Sequence, residues 1–178
     1  MKNDKHVIVM VADDDEDDRL MTKEAFQESG LANKVLFVQD GVELMDYLNR
    51  RGKYADPDAS PRPGLILLDL NMPRMDGHEA LRLLKSDNSL RSIPVTIFTT
   101  SKAQEDIVRT YGLGSNCFIT KPVTFSGLVD TIRQLGSFWF DLVEIPTYSR
   151  RGVRMNGKEK KVITLWDEPV INDTRRPA

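Results

Sequence analysis

The chain has 178 residues, a formal net charge of −2 and an apolar fraction of 40%. These values exclude disordered and fibrous classes and fit one globular domain with about thirty residues to spare. Residues 1–146 contain 17 Lys/Arg and 23 Asp/Glu, whereas residues 147–178 contain 8 and 4. This weakly basic end does not predict nucleic-acid binding. No apolar stretch has transmembrane length and Cys117 is the only cysteine, so we expect a cytoplasmic protein without membrane contact.

Short apolar strands alternate with helical patterns five times along the first 146 residues. The predicted strands are residues 7–12, 35–38, 65–68, 94–98 and 116–119. Helices with apolar residues about one turn apart follow them. The first helix has Leu20, Met21, Ala25 and Phe26, the second Val42, Met45 and Leu48, the third Leu81 and Leu84, the fourth Ile107, Val108 and Tyr111, and the last has one stripe of Leu128, Ile132, Leu135, Trp139 and Leu142.

Five strand–helix units in series predict an α/β fold. The strands are expected to form an open parallel sheet with right-handed crossovers and helices on both faces. Beyond Pro146 this pattern stops, although residues 155–158 have a turn signal and residues 162–166 have strand character. We therefore predict a domain over residues 1–146 and a basic extension over 147–178, either a hairpin or an arm that binds a partner.

Polar residues follow four of the predicted strands. Asp13 and Asp14 follow the first strand, Asp69 the third, Thr99 the fourth and Lys121 the fifth. Because the carboxyl ends of parallel strands lie along one edge of the sheet, we expect these residues to meet there. An oxygen-only set without His or Cys predicts Mg²⁺ as the metal.

The predicted site has the groups needed for phosphoryl transfer. Asp69 is a candidate nucleophile that forms an acyl phosphate, Lys121 a partner for the phosphate charge, and the Thr99 hydroxyl a hydrogen-bond donor. Each residue also has a simpler interpretation. Asp15 to Asp18 read as a solvated helix cap, and Asp69 alone would be equally consistent with a turn residue. The conjunction of four strand ends favours the site.

These residues resemble the receiver domain of two-component response regulators over about residues 6–142. The acidic pair Asp13-Asp14, the segment from Leu67 to Gly77 around Asp69, Thr99, and Lys121-Pro122 match the motifs of that family. The resemblance implies a flavodoxin-like (βα)5 fold with strand order 2-1-3-4-5. It also implies that Asp69 is the phosphoacceptor and that Asp13, Asp14, Asp69 and the Asn71 backbone carbonyl hold Mg²⁺.

Further roles follow from the same resemblance. Thr99 matches the switch hydroxyl and Phe118 the switch aromatic residue, with Phe in place of Tyr. Pro122 matches a proline that the family holds in the cis form, which is expected to aim Lys121 into the site.

The Pro-rich connection around residues 60–63 and the Ser137-Phe138-Trp139 segment are similar to a narrower group of stand-alone regulators paired with phytochrome-type histidine kinases. The resemblance implies such a kinase as partner and no DNA-binding output. We also expect a homodimer through the last helix and the extension.

Three hypotheses are open at this point. The first is a phosphoacceptor that catalyses only its own phosphorylation and dephosphorylation. The second is an aspartyl-phosphate phosphatase, which is disfavoured because Asn71 stands where such enzymes have a proton-donating carboxylate. The third is an interaction module that works without phosphate.

Overall fold

The computed structural model describes residues 7–146. Strands and helices alternate through this range. In chain order they are β1 (Val9–Ala12), α1 (Glu16–Ser29), β2 (Val35–Val38), α2 (Gly41–Leu48), β3 (Leu65–Leu68), α3 (Gly77–Ser86), β4 (Val95–Thr99), α4 (Gln104–Gly112), β5 (Cys117–Thr120) and α5 (Phe125–Gly136), with a short 3-10 turn at Gly52–Tyr54 and a π-helical turn at Ser137–Leu142.

The five strands form one parallel sheet in the order β2-β1-β3-β4-β5. This confirms the predicted open parallel sheet and the strand order implied by the resemblance. In the register, Val9 of β1 lies beside Val35 of β2 and Leu65 of β3. Each parallel pair needs a crossover, and the intervening helices supply it. All carboxyl ends of the strands therefore lie on one edge.

Alternating residues of the central strand β3 build two cores. Ile66 and Leu68 belong to the core under α2 and α3, whereas Leu65 and Leu67 belong to the core under α1 and α5. All four side chains are fully buried. Burying each one contributes about 1.5–3 kcal/mol, so this strand ties both helical layers to the sheet. A run of consecutive apolar residues is what such a two-sided strand requires.

The outer helices differ from the predicted pattern at a few positions. Leu142 is 76% exposed, so the single stripe predicted for the last helix is wrong at its end. The reason is that the α-helix widens into the π-helical turn, where Val143 N–H donates to Phe138 O at 3.0 Å. This wider turn changes the angle between successive side chains, so that Trp139 is buried and Leu142 faces outward. Leu20 of α1 is also exposed.

The helix α4 buries Thr110, whereas two of its predicted apolar positions, Val108 and Tyr111, are exposed. Beyond α5, Trp139 Nε1 donates to Thr96 Oγ1 of β4 at 3.2 Å in a buried position. This bond fixes the end of the last helix to the sheet.

The predicted turn and strand of the extension lie outside the described residues. Among residues 7–146, none of the helices has the length and apolar character needed to cross a bilayer.

Candidate functional site

The predicted site residues lie together at the carboxyl edge of the sheet. Backbone hydrogen bonds continue one residue past the strands and fix their positions: Asp69 N–H donates to Ala12 O at 3.0 Å, and Lys121 N–H donates to Thr99 O at 2.7 Å. Asp13 follows Ala12 directly. The residues that follow or end β1, β3, β4 and β5 thus lie at the same edge of the sheet, where the sequence predicts them.

Three carboxylates form a cluster at this edge. One oxygen each from Asp13, Asp14 and Asp69 lies within 4.8 Å of the others. Asp13 and Asp69 are buried, whereas Asp14 is exposed. Such a group can hold a hard cation, because all of its donors are carboxylate oxygens and it has an open side.

Lys121 lies among these acids with its side chain only 7% exposed. Its Nζ donates to Asp13 Oδ2 at 2.6 Å, to Asp18 Oδ2 at 2.7 Å and to Asp69 Oδ2 at 3.1 Å. Burial opposes the charged form, but the hydrogen bonds to Asp13 and Asp18 and the nearby negative charges outweigh it and raise the pKa of Lys121. The lysine is therefore held as a cation inside the site.

Negative charge is in excess around this lysine. Burial raises the pKa of Asp13, and the charge of Asp69 adds to this effect, while Lys121 opposes it. One ammonium group faces several carboxylates, so a further cation is favoured there. This charge imbalance is the electrostatic reason that the residues fit a divalent metal ion.

Asp18 is a site residue that the sequence analysis did not identify. It was interpreted as part of a solvated helix cap, whereas its carboxylate binds Lys121. The cap itself is present, since Asp15 Oδ1 accepts the Asp18 N–H at 3.0 Å. Sequence shows that Asp18 belongs to the first helical turn, but not that this turn faces a lysine 103 residues away.

Thr99 is fully buried at the end of β4. Its Oγ1 accepts the Ser101 N–H at 3.3 Å, and the Ser101 hydroxyl donates to Asp106 of α4 at 2.6 Å. Phe118 is half-buried on β5 and lies beside Ile97 in the register. Thr99 is thus linked to α4, while the switch roles of Thr99 and Phe118 stay predictions.

The cis form predicted for Pro122 is wrong. Residues 7–146 contain no cis peptide bond, so the bond from Lys121 to Pro122 is trans. The trans form of an X–Pro bond is favoured by about 0.5–1 kcal/mol when no tertiary contact demands otherwise. A cis bond is not required to direct Lys121 into the site. Its N–H is held by Thr99 O, and its long side chain reaches the acids from that position.

Two features fix the loop between Asp69 and the start of α3. A Cβ on Gly77 would overlap the Asp69 carbonyl oxygen and lie 2.8 Å from Leu70 Cα, so only glycine permits this close approach of α3. Arg74 has a positive φ of 62°, and its guanidinium pairs with Asp40 at the start of α2. Within this loop Asn71 is exposed, and its role as a carbonyl ligand of the metal stays a prediction.

A scan against protein-family models matches residues 9–133 to the response regulator receiver domain. The chain belongs to this family. The match covers the sheet, α1 to α4 and most of α5, and it includes every predicted site residue.

Individual relatives point to a narrower group of receivers. The chain is 37% identical over 144 residues to response regulator Rcp1 of Synechocystis sp., covering 81% of this chain and 95% of Rcp1. The solved Mn²⁺-bound form of Rcp1 has a TM-score of 0.71 at 33% identity and covers 79% of this chain and 99% of that one. The phosphorylated cyanobacterial phytochrome response regulator RcpA has a TM-score of 0.74 at 38% identity, with 80% and 99% covered.

Proposed function

We propose that this receiver accepts a phosphoryl group on Asp69 from the phosphohistidine of a histidine kinase. One observation supports this above all: the Asp69 carboxylate lies in an acidic cluster with Lys121 Nζ at 3.1 Å. The Asp69 Oδ1 atom accepts the Leu70 N–H at 2.7 Å, which fixes the orientation of the carboxylate. A buried, oriented carboxylate beside a fixed cation is arranged for attack on phosphorus.

In the proposed step an Asp69 oxygen attacks phosphorus, a P–O bond forms and the P–N bond to the kinase imidazole breaks. The electron pair of that bond stays on the imidazole nitrogen, which takes up a proton. Lys121 stabilises the charge on the phosphoryl oxygens, and the Thr99 hydroxyl donates to one of them. Hydrolysis later returns Asp69 to the carboxylate. The protein acts on no other substrate in this proposal.

Asp13, Asp14, Asp69 and the Asn71 carbonyl are the residues proposed to hold Mg²⁺. The fit rests on the cluster of carboxylate oxygens and on its excess negative charge. A divalent cation at this position supplies charge neutralisation of the phosphoryl oxygens. The Mn²⁺-bound form of Rcp1 supports a divalent metal ion in this group of receivers.

The proposed kinase is of the phytochrome type and the proposed location is the cytoplasm. RcpA is described as a cyanobacterial phytochrome response regulator. Another relative, RPA3017 of R. palustris, is described as acting in red light signalling. These descriptions support the pairing of this chain with a light-sensing kinase.

The test is transfer of labelled phosphate from a purified, autophosphorylated phytochrome kinase in the presence of Mg²⁺. Wild type is expected to become labelled and Asp69→Asn to stay unlabelled. Asp130→Asn is the matched control, because this exposed carboxylate of α5 lies outside the site. Label on Asp69→Asn at the wild-type level would disprove the assignment. An unlabelled wild type that still binds the kinase would favour an interaction module that works without phosphate.

We also propose that the protein forms a homodimer through the last helix and the extension. Support comes from Phe138 and Leu142, two large apolar side chains that are 44% and 76% exposed at the end of that helix. Light scattering is expected to give the mass of two chains for wild type and a lower mass for Leu142→Ser. Val123→Ser, at an exposed apolar residue just before the start of α5, should stay dimeric. A monomeric wild type would exclude this arrangement.

A further inference from the structure

The proposed phosphoryl transfer assigns no role to the contact between Lys121 and Asp18. An ammonium group has three hydrogens, and Lys121 donates to three different carboxylates. Among the described residues, the cluster of carboxylates that could hold a cation consists of Asp13, Asp14 and Asp69. Asp18 thus binds Lys121 from outside this cluster.

A phosphoryl group on Asp69 needs this same ammonium group. The phosphoryl oxygens carry more negative charge than a carboxylate and compete for the donors of Lys121. The side chain of Asp18 is 36% exposed, whereas those of Asp13 and Asp69 are 2% and 9% exposed. Water can replace Lys121 at Asp18 at low cost, but not at the two buried acids. Asp18 is therefore the partner that is released most easily.

We propose that Asp18 is a positioning residue for Lys121, and that its carboxylate competes with the phosphoryl group on Asp69 for the ammonium group. The inference rests on the proposed function, since it assumes phosphorylation at Asp69. In the unphosphorylated state, Asp18 holds Lys121 between α1 and the strand edge. In the phosphorylated state, Lys121 moves towards the phosphate and Asp18 turns to water. Asp18 thereby lowers the fraction of protein in the phosphorylated form.

The neighbouring Asp17 offers a matched control. It lies in the same first turn of α1, is exposed and has the same charge. An Asp17→Asn change alters the net charge and the interaction with the helix dipole in the same way as Asp18→Asn. The variants differ in that, of these two residues, Asp18 is the one that contacts Lys121. Asp18→Glu keeps a carboxylate at the position and serves as the conservative variant.

The experiment measures the binding of beryllofluoride, a phosphate mimic, by fluorine NMR at saturating Mg²⁺. Asp18→Asn is expected to lower the half-saturating concentration about three- to tenfold, the range for removing one partly exposed charged partner. Asp17→Asn should change it less than about twofold, and Asp18→Glu should stay closer to wild type than Asp18→Asn. Thermal unfolding of all variants tests whether a change in the half-saturating concentration arises from a change in stability.

The outcomes separate this inference from the proposed function. Equal half-saturation for Asp18→Asn and Asp17→Asn would overturn the role of Asp18 while leaving Asp69 as the phosphoacceptor. An increase for Asp18→Asn would overturn it as well, because it would show that Asp18 supports the phosphorylated state. Failure of wild type to bind beryllofluoride would instead contradict the proposed function itself.

Discussion

Replacing Lys121 with Met tests how the acidic site is stabilised. Methionine has nearly the same length and no charge, so the change removes the ammonium group and preserves most of the side-chain volume. In wild type this ammonium group pairs with Asp13, Asp18 and Asp69 at 2.6, 2.7 and 3.1 Å, and methionine can form none of these ion pairs. We expect the variant to fold, but with a lower free energy of unfolding at pH 7.

The size of the loss follows from the burial of the three acids. Removing one partner of a buried ion pair costs about 3–5 kcal/mol, because the other charge is left uncompensated. Here Asp18 regains water, and Asp13 takes up a proton more easily because burial already raises its pKa. These two responses reduce the expected loss to about 2–3 kcal/mol.

The pH and metal dependence distinguish this mechanism from a packing defect. A carboxyl with a raised pKa binds more protons in the folded than in the unfolded state, so stability falls as pH rises. The deficit of Lys121→Met should therefore be smaller at pH 5 than at pH 7. Saturating Mg²⁺ should also reduce it, since the cation replaces the missing positive charge.

The assay is urea unfolding at both pH values, with and without Mg²⁺. Lys102→Met, at an exposed residue, is the control for the charge and side-chain change. A variant as stable as wild type at pH 7 without Mg²⁺ would show that the ion pairs of Lys121 do not stabilise the fold. A loss of the same size under all conditions would point to packing instead.

Three further changes have expected outcomes that urea unfolding can check. Gly77→Ala should lower the free energy of unfolding by about 2–4 kcal/mol, because the alanine Cβ would overlap the Asp69 carbonyl oxygen. A decrease below about 1 kcal/mol, the ordinary effect of a substitution, would contradict this expectation. Trp139→Phe should cost about 1–3 kcal/mol by leaving the buried Thr96 hydroxyl without its donor, and an unchanged midpoint would show that the bond contributes nothing. For Glu43, burial opposes the charged form, but the ion pair with Lys53 at 2.7 Å and a hydrogen bond from Tyr54 lower the pKa of Glu43 to about 2. The charged Glu43 side chain therefore stabilises the fold above about pH 4.5, and this stabilisation is lost as the pH falls towards 2. Glu43→Gln should lower the free energy of unfolding by about 1–2 kcal/mol at pH 7 and by much less near pH 2. A deficit independent of pH would contradict the ion-pair explanation.

The elements and the edge at which the site forms were accessible from sequence. The run Leu65 to Leu68 predicts a strand buried on both faces, and its place between helical patterns predicts a parallel sheet. Parallel strands bring their carboxyl ends together, so Asp13, Asp69 and Lys121 could be placed at one edge before any distance was known.

Other features depend on contacts that periodicity does not describe. The outward position of Leu142 follows from a local change from an α-helix to a π-helical turn, where the hydrogen-bond pattern shifts by one residue. The bond before Pro122 is trans, the intrinsically favoured form, whereas the resemblance in sequence predicts the cis form.

The order of strands and helices, the chemistry available at the sheet edge and the family can all be derived from the amino-acid sequence. These depend on local patterns and on residue types, which are read directly along the chain. Which carboxylates share Lys121, and that Asp18 is one of them, depends on the folded arrangement of the chain. The strength of an ion pair depends on distance and burial, and both are set by residues that lie far apart in the chain.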